Sequence, residues 1–248
     1  MTILNYPFII ANADDLGLDS TVNSAIVQCF KRGYINSASI MTNSPVFNDT
    51  VSLIEGEPEV KNLGVHIDLV EFRPLTEFED KQLLNQAGYW NLNPANSKLK
   101  FLKKGAKQII ENEIYAQIEK AISAGLNPIH LDSHYHMHTL PGFQALFIKA
   151  AKKYKLKLRL AQSYNEGNYL KFLYRKWLNS KIKKGGYYYS DQFVDVMRFI
   201  SLKGGVEANV SFEIMLHPDL DTAGNLTDHY DPQSMVKWLE CLKHKKAI

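Results

Sequence analysis

Short apolar runs alternate with amphipathic helical patterns along most of this chain, and that alternation restricts it to a parallel sheet flanked by helices. The first run, Phe8-Ile9-Ile10-Ala11, ends in Asn12-Ala13-Asp14-Asp15. After it, Val22, Ala25, Ile26, Cys29 and Phe30 recur at helical spacing, with Asp19 or Ser20 placed to cap the helix and Gly33 to stop it. Residues 37–42 read as a second strand and 51–54 as a weaker helix. Residues 63–69 alternate apolar and polar side chains, as a strand with one lined face should. Isoleucines 110, 114, 118 and 122 mark a helix over 108–124, closed by Gly125, and 128–132 is the next strand. A helix opening near Pro141 carries Phe143, Leu146, Phe147, Ala150 and Ala151 on its apolar face. Further strands are expected at 156–160 and 212–216, and a terminal helix at about 232–243.

The rhythm breaks over 72–107 and 162–203, which read as two elaborated loops of one α/β domain spanning 1–248. A chain of 248 residues, 45% of them hydrophobic, can bury one large core. A net charge of +3 is too small to make nucleic acid or a membrane surface the main partner. Residues 1–6 lack a basic region and the apolar run 7–11 is too short for a signal peptide or a membrane span. The two cysteines, Cys29 and Cys241, both fall in helical patterns and suit a reducing cytoplasm.

Chemistry enters through where the acids and imidazoles fall. Asp14 and Asp15 end the first strand, and His66 and Asp68 lie in the third. His130, Asp132, His134, His136 and His138 recur at every second position, so an extended chain would present them on one face. His217 closes another apolar strand. In parallel α/β folds, ligands and catalytic groups collect at the carboxyl ends of the strands, so several strands deliver these side chains to one rim. Three His and carboxylate ligands with an open position are the common catalytic zinc arrangement. Such an ion lowers the pKa of bound water from about 15.7 toward 7. A second carboxylate can then serve as general base and an imidazole as acid. Adjacent Asp14 and Asp15 can divide these tasks, because neighbouring side chains on a strand point apart.

Each residue also has a plainer reading. Paired aspartates after a strand often cap a turn, and a lone strand histidine such as His66 is often a satisfied polar residue. The cluster 130–138 resists that reading, because it gathers four of the chain's eight histidines, although one or two ligands are all a site needs.

Taken together, these segments resemble the YdjC family of carbohydrate deacetylases. The resemblance rests on Asn12-Ala13-Asp14-Asp15-Leu16-Gly17, Leu63-Gly64-Val65-His66-Ile67-Asp68-Leu69, His130-Leu131-Asp132-Ser133-His134-Tyr135-His136-Met137-His138 and Glu213-Ile214-Met215-Leu216-His217-Pro218. It implies a distorted (β/α) barrel of the polysaccharide-deacetylase type. It also implies one divalent metal, Mg²⁺ or Zn²⁺, held by Asp15, His66 and His134. Asp14 would be the general base, His217 the acid, and Arg159 a strand arginine that orients Asp14 or the substrate. The reaction implied is removal of an acetyl group from an N-acetylated sugar. Two segments depart from the family's pattern: Asn36-Ser37-Ala38-Ser39-Ile40-Met41, where a threonine-serine pair is commoner, and the bulky turn Glu71-Phe72-Arg73-Pro74. The second should lie near the substrate and could change which sugar is taken.

Other readings stay open at this level. The same metal chemistry could hydrolyse another amide or a phosphoester, and a non-catalytic sugar-binding protein could keep the pocket. The basic and aromatic stretch 168–190 could contact single-stranded nucleic acid, a sugar or a second copy of the chain. An amphipathic lid or subunit contact fits it better than nucleic acid, and Trp90 could likewise stack on a sugar.

Overall fold

In the computed structural model the described residues are 8–80, 82–92, 102–202 and 209–244. The N-terminal segment read for targeting signals, and parts of both long loops, lie outside them. The alternation seen in sequence becomes seven parallel strands: β1 (Ile9–Leu16), β2 (Ser37–Ile40), β3 (Leu63–Ile67), β4 (His130–Ser133), β5 (Lys157–Leu158), β6 (Gln192–Asp195) and β7 (Phe212–Leu216). Their order across the sheet is β5-β4-β3-β2-β1-β7-β6, so β2 is central and β1 is interior, between β2 and β7. The segment before β6 also reaches the opposite edge. Leu158 donates its amide to the Tyr187 carbonyl, and the Tyr189 amide donates to the Leu158 carbonyl at 3.1 Å. One stretch, 187–195, therefore bonds both edges and curls the sheet into the distorted barrel that the sequence implied.

Helices α1 (Ser20–Lys31), α2 (Phe47–Glu55), α3 (Lys104–Ser123), α4 (Gln144–Tyr154), α5 (Tyr169–Lys184), α6 (Val196–Ser201) and α7 (Pro232–His244) accompany these strands. Asp19 caps α1 by accepting from the Thr21 and Val22 amides, as expected. The apolar faces build two cores. One joins β3, β4 and β5 to α3 and α4 through Val65, Leu131, Ile114 and Phe147. The other joins β1 and β7 to α1, α6 and α7 through Ala11, Ile214, Ile26, Phe199 and Trp238.

Details depart from the expectation for identifiable reasons. Ile110, Ile114 and Ile118 are fully buried, whereas Ile122 is 47% exposed. Each step of four residues overshoots a 3.6-residue turn by about 40°, so the fourth isoleucine has rotated off the buried stripe. Helix α2 begins earlier than the pattern suggested, and α5 occupies most of the second long loop. Trp90 is 4% exposed and packs on Phe78, so it is a core residue and offers no face to a sugar. An antiparallel hairpin, β8 (Pro218–Leu220) and β9 (Leu226–Asp228), follows β7 and was not anticipated.

Candidate functional site

Strand β1 bulges where it matters. Its pairing with β2 runs Asn12↔Ser37 and Ala13↔Ala38, then jumps to Leu16↔Ile40, which leaves an extra residue at Asp14-Asp15. Asp15 takes φ of +66°, in the left-handed region that aspartate tolerates better than most side chains. The simple strand alternation expected for this pair is thus replaced by a bulge, a device that re-aims side chains beside active sites. Both carboxylates are buried and reach different partners.

Asp15 Oδ1 lies 2.8 Å from His134 Nδ1 and 3.1 Å from His66 Nε2. These three residues offer ligand atoms that all lie within 4.8 Å of one another. His66 Nδ1 lies 2.8 Å from Asp132 Oδ1, which orients the ring and turns Nε2 toward Asp15. His134 stands at the turn where β4 ends. The short segment His134–Thr139 coils immediately after β4, with a left-handed kink at Tyr135 and His136, whose φ are +51° and +53°. The two-residue period therefore does not continue to His138. His138 Nδ1 bonds Ser133 Oγ at 2.7 Å and its ring packs on Phe147, away from Asp15. His136 is held neutral: burial, and then the Arg159 charge, lower its pKa to about 3.

Asp14 meets Arg159 instead. The guanidinium donates to both Asp14 oxygens at 2.6 Å, reaches Asp132 Oδ2 at 2.7 Å, and donates through Nε to Glu213 Oε1 at 2.6 Å. Burial alone would raise the Asp14 pKa, but the Arg159 charge and its hydrogen bonds overcome that and hold the carboxyl below the usual range. Glu213 goes the other way. Burial outweighs Arg159 there and pushes it up to about 7, and its Oε2 has no partner. Ser39 donates to Asp132 Oδ2 at 2.9 Å, and Asn12 Nδ2 bonds both Asp14 and Ser39. The serine-containing departure in β2 is thus wired into this network.

His130, the remaining histidine of the cluster, sits beneath Gly64 and stacks on Tyr189 with 4.1 Å between ring centroids. A Cβ on Gly64 would stand 2.2 Å from His130 Nε2, so only glycine fits there. Asp68 is also structural: it accepts from the Val70, Glu71 and Phe72 amides and shapes the turn after β3.

Across from His66 stand His217, at the end of β7, and His229, after β9. His217 Nδ1 is 3.7 Å from Asp228 Oδ2, and the same carboxylate oxygen accepts the His217 amide at 2.8 Å. Burial lowers the His217 pKa, but Asp228 and the charges of Asp14 and Asp15 more than compensate and raise it. His229 Nε2 lies 3.1 Å from Asp15 Oδ2, the oxygen that His66 and His134 do not use. Sequence reasoning missed His229. The only available signal was a histidine at the exit of a short strand, and that strand was itself unrecognised.

The donor set fits a divalent cation. Asp15, His66 and His134 offer one carboxylate and two imidazoles, a borderline-hard combination. Arg159 pairs with Asp14, Asp132 and Glu213, whereas Asp15 meets imidazoles alone. Against the effect of burial, Asp132 and Asp15 hold the His66 pKa above its ordinary value; a cation bound by Asp15, His66 and His134 would take over that charge balance. A second grouping, Asp14, His66 and Asp132, is also close enough, yet both its carboxylates are already engaged by Arg159.

The profile of the YdjC-like protein family matches residues 8–246. The chain belongs to the YdjC family. A carbohydrate deacetylase of Thermoanaerobacter pseudethanolicus is 32% identical over 220 residues, covering 85% of this chain and 80% of that relative. One from Halalkalibacterium halodurans is 33% identical over 213 residues, covering 85% and 84%. Among solved structures, an Enterococcus faecalis V583 protein named for cellobiose-phosphate cleavage superposes with a TM-score of 0.71 over 96% of this chain and 91% of its own. At 21% identity it supports the fold alone. No helix among the described residues is long and apolar enough to cross a membrane.

Proposed function

We propose that this chain is a metal-dependent carbohydrate deacetylase that hydrolyses the acetamide of an N-acetylated sugar, releasing acetate and leaving the free amine. The observation that carries the reading is the convergence of Asp15, His66 and His134 beside an Asp14 clamped by Arg159. The carbohydrate deacetylase names of the relatives support the same class. A divalent ion held by Asp15, His66 and His134, Mg²⁺ or Zn²⁺, would polarise the acyl oxygen and acidify water. Asp132 keeps the His66 ring turned toward the ligand position, and His229 steadies the second oxygen of Asp15. Asp14 stays ionised at neutral pH and accepts a proton from the attacking water, with Arg159 fixing its orientation. His217, kept protonated to higher pH than an ordinary histidine, delivers a proton to the departing nitrogen. Cys29 and Cys241 suit the reducing cytoplasm where we place the protein.

The test is acetate release by chelator-treated protein from N-acetylglucosamine, its 6-phosphate and diacetylchitobiose, with and without Mg²⁺, Zn²⁺, Mn²⁺ or Co²⁺. Metal-dependent acetate release, lost in Asp14→Asn while metal content stays unchanged, is the expected result. Metal binding without acetate from any sugar would overturn the deacetylase reading and turn attention to another hydrolysable bond. Near-normal turnover by Asp14→Asn would remove Asp14 as the base.

A further inference from the structure

Two large exposed rings at the site have no part in the chemistry above. Tyr135 is 47% exposed and Tyr230 50%, although each directly follows a histidine that touches Asp15. The Tyr135 ring stands edge-on to His134, with 4.4 Å between centroids. The Tyr230 ring lies 4.6 Å from both His217 and His229. The two tyrosines meet at 6.3 Å and 72°, forming an aromatic corner. Tyr135 holds this place at a cost, because its φ of +51° is a conformation that glycine takes far more readily. Strain of that kind persists where the surroundings fix it, and it gathers at ligand sites.

A cavity of about 250 Å³ opens on the Tyr230 side of the corner, bounded by Tyr230, His217 and Met215 and by the carboxylates of Asp195, Asp228 and Asp231. Its described lining contains no lysine or arginine. An aromatic corner beside hydrogen-bond acceptors suits a ligand with apolar C–H faces and many hydroxyl donors, which describes a pyranose. The negative lining favours neutral or cationic rings and opposes a phosphate or carboxylate.

We propose that Tyr135 and Tyr230 form a sugar-binding subsite beside the reaction centre, which takes the face of a neutral or amino-sugar ring and discriminates against anionic sugars. The subsite rests on the deacetylase reading only for the acetyl group's placement, so the two are tested separately. Chitobiose, the disaccharide of glucosamine, has no acetyl group, and calorimetry of its binding reads the subsite without turnover. Wild type should bind chitobiose, and Tyr135→Gly and Tyr230→Ala should each weaken it about tenfold, whereas Tyr135→Phe and Tyr230→Phe stay within about twofold. Tyr135→Gly relieves the left-handed strain, so its unfolding midpoint should be equal to or above that of wild type, which separates loss of the ring from loss of the fold. With substrate, Tyr135→Gly should raise KM while kcat changes far less, and N-acetylglucosamine should bind at least about tenfold tighter than its 6-phosphate. Unchanged sugar affinity in Tyr135→Gly and Tyr230→Ala, no sugar binding by wild type, or a preference for the phosphate would each overturn the proposal. Sugar binding that responds to the tyrosines without any acetate release would instead leave the subsite standing and remove the deacetylase reading.

Discussion

On the β3–β4 side of Asp15, His66 and His134 expose 2% and 4% of their side chains; on the β7–β9 side, His217 and His229 expose 14% and 16%. The first side is fixed from behind: Asp132 bonds His66, Ser39 and Arg159 bond Asp132, and Arg159 bonds Asp14 and Glu213. The second side rests on Asp228 behind His217, on the bond from His229 to Asp15 and on packing against the half-exposed Tyr230. A cation needs preorganised ligands, and a substrate needs an opening. On the proposed reading, the difference in burial separates the side that would hold an ion from the side that a sugar would approach.

The separation is broken most severely at the ligands. Asp15→Ala and His134→Ala should each abolish metal uptake and lower acetate release by about 10³-fold or more, the scale of several kcal/mol of lost transition-state stabilisation. Metal content by elemental analysis together with acetate release checks this, and a variant that keeps its metal would show that the wrong side chain was assigned. Next comes Arg159, which has no exposed surface. Arg159→Met strands Asp14, Asp132 and Glu213 in the interior and should cost about 3–5 kcal/mol of stability. That corresponds to an unfolding midpoint about 10 °C lower. A change of only a degree or two would mean that the carboxylates find other partners and that the rigid side is less determined than its hydrogen bonds suggest.

How far the sequence alone reaches divides along the same line. The gathering of Asp14, Asp15, His66 and the 130–138 histidine cluster at one rim was legible from strand ends in an α/β alternation and a period of two, whereas the choice of His134 within the cluster came only through the resemblance. Arg159 entered only through the resemblance, and its grip on three carboxylates is a long-range fact that no local pattern encodes. The bulge at Asp14-Asp15 and the left-handed turn at Tyr135-His136 were invisible, since both break the regular period on which the reading relied. His229 escaped because β8 and β9 are three residues each, too short to leave an alternation. The open side of the site was therefore the less legible one.

That open side yields smaller effects. His217→Gln should retain the metal and lower kcat by about 10²–10³-fold, the usual share of a general acid. Its pH dependence has a definite sign. An acid works while protonated, so activity should fall as pH rises through the His217 pKa, which lies above the ordinary value because Asp228, Asp14 and Asp15 together outweigh burial. Asp228→Asn removes one of those charges and should move the alkaline limb of the kcat profile to lower pH while metal content stays unchanged. An unmoved limb would show that another group supplies the proton.

The smallest effect tests the turn that joins the two sides. His136 is two residues from His134 and would share its face if β4 stayed extended, but the chain has already coiled, and His136 packs edge-on against Phe193 with its Nδ1 unpartnered. Burial and Arg159 keep it neutral, so its removal uncovers no charge. His136→Ala should therefore leave metal content intact and lower activity by less than about tenfold, while the lost ring packing costs on the order of 1–3 kcal/mol. If His136→Ala proved as damaging to metal uptake as His134→Ala, the left-handed turn would have to open on metal binding, bringing both histidines to the ion and erasing the boundary between the fixed side and the open one.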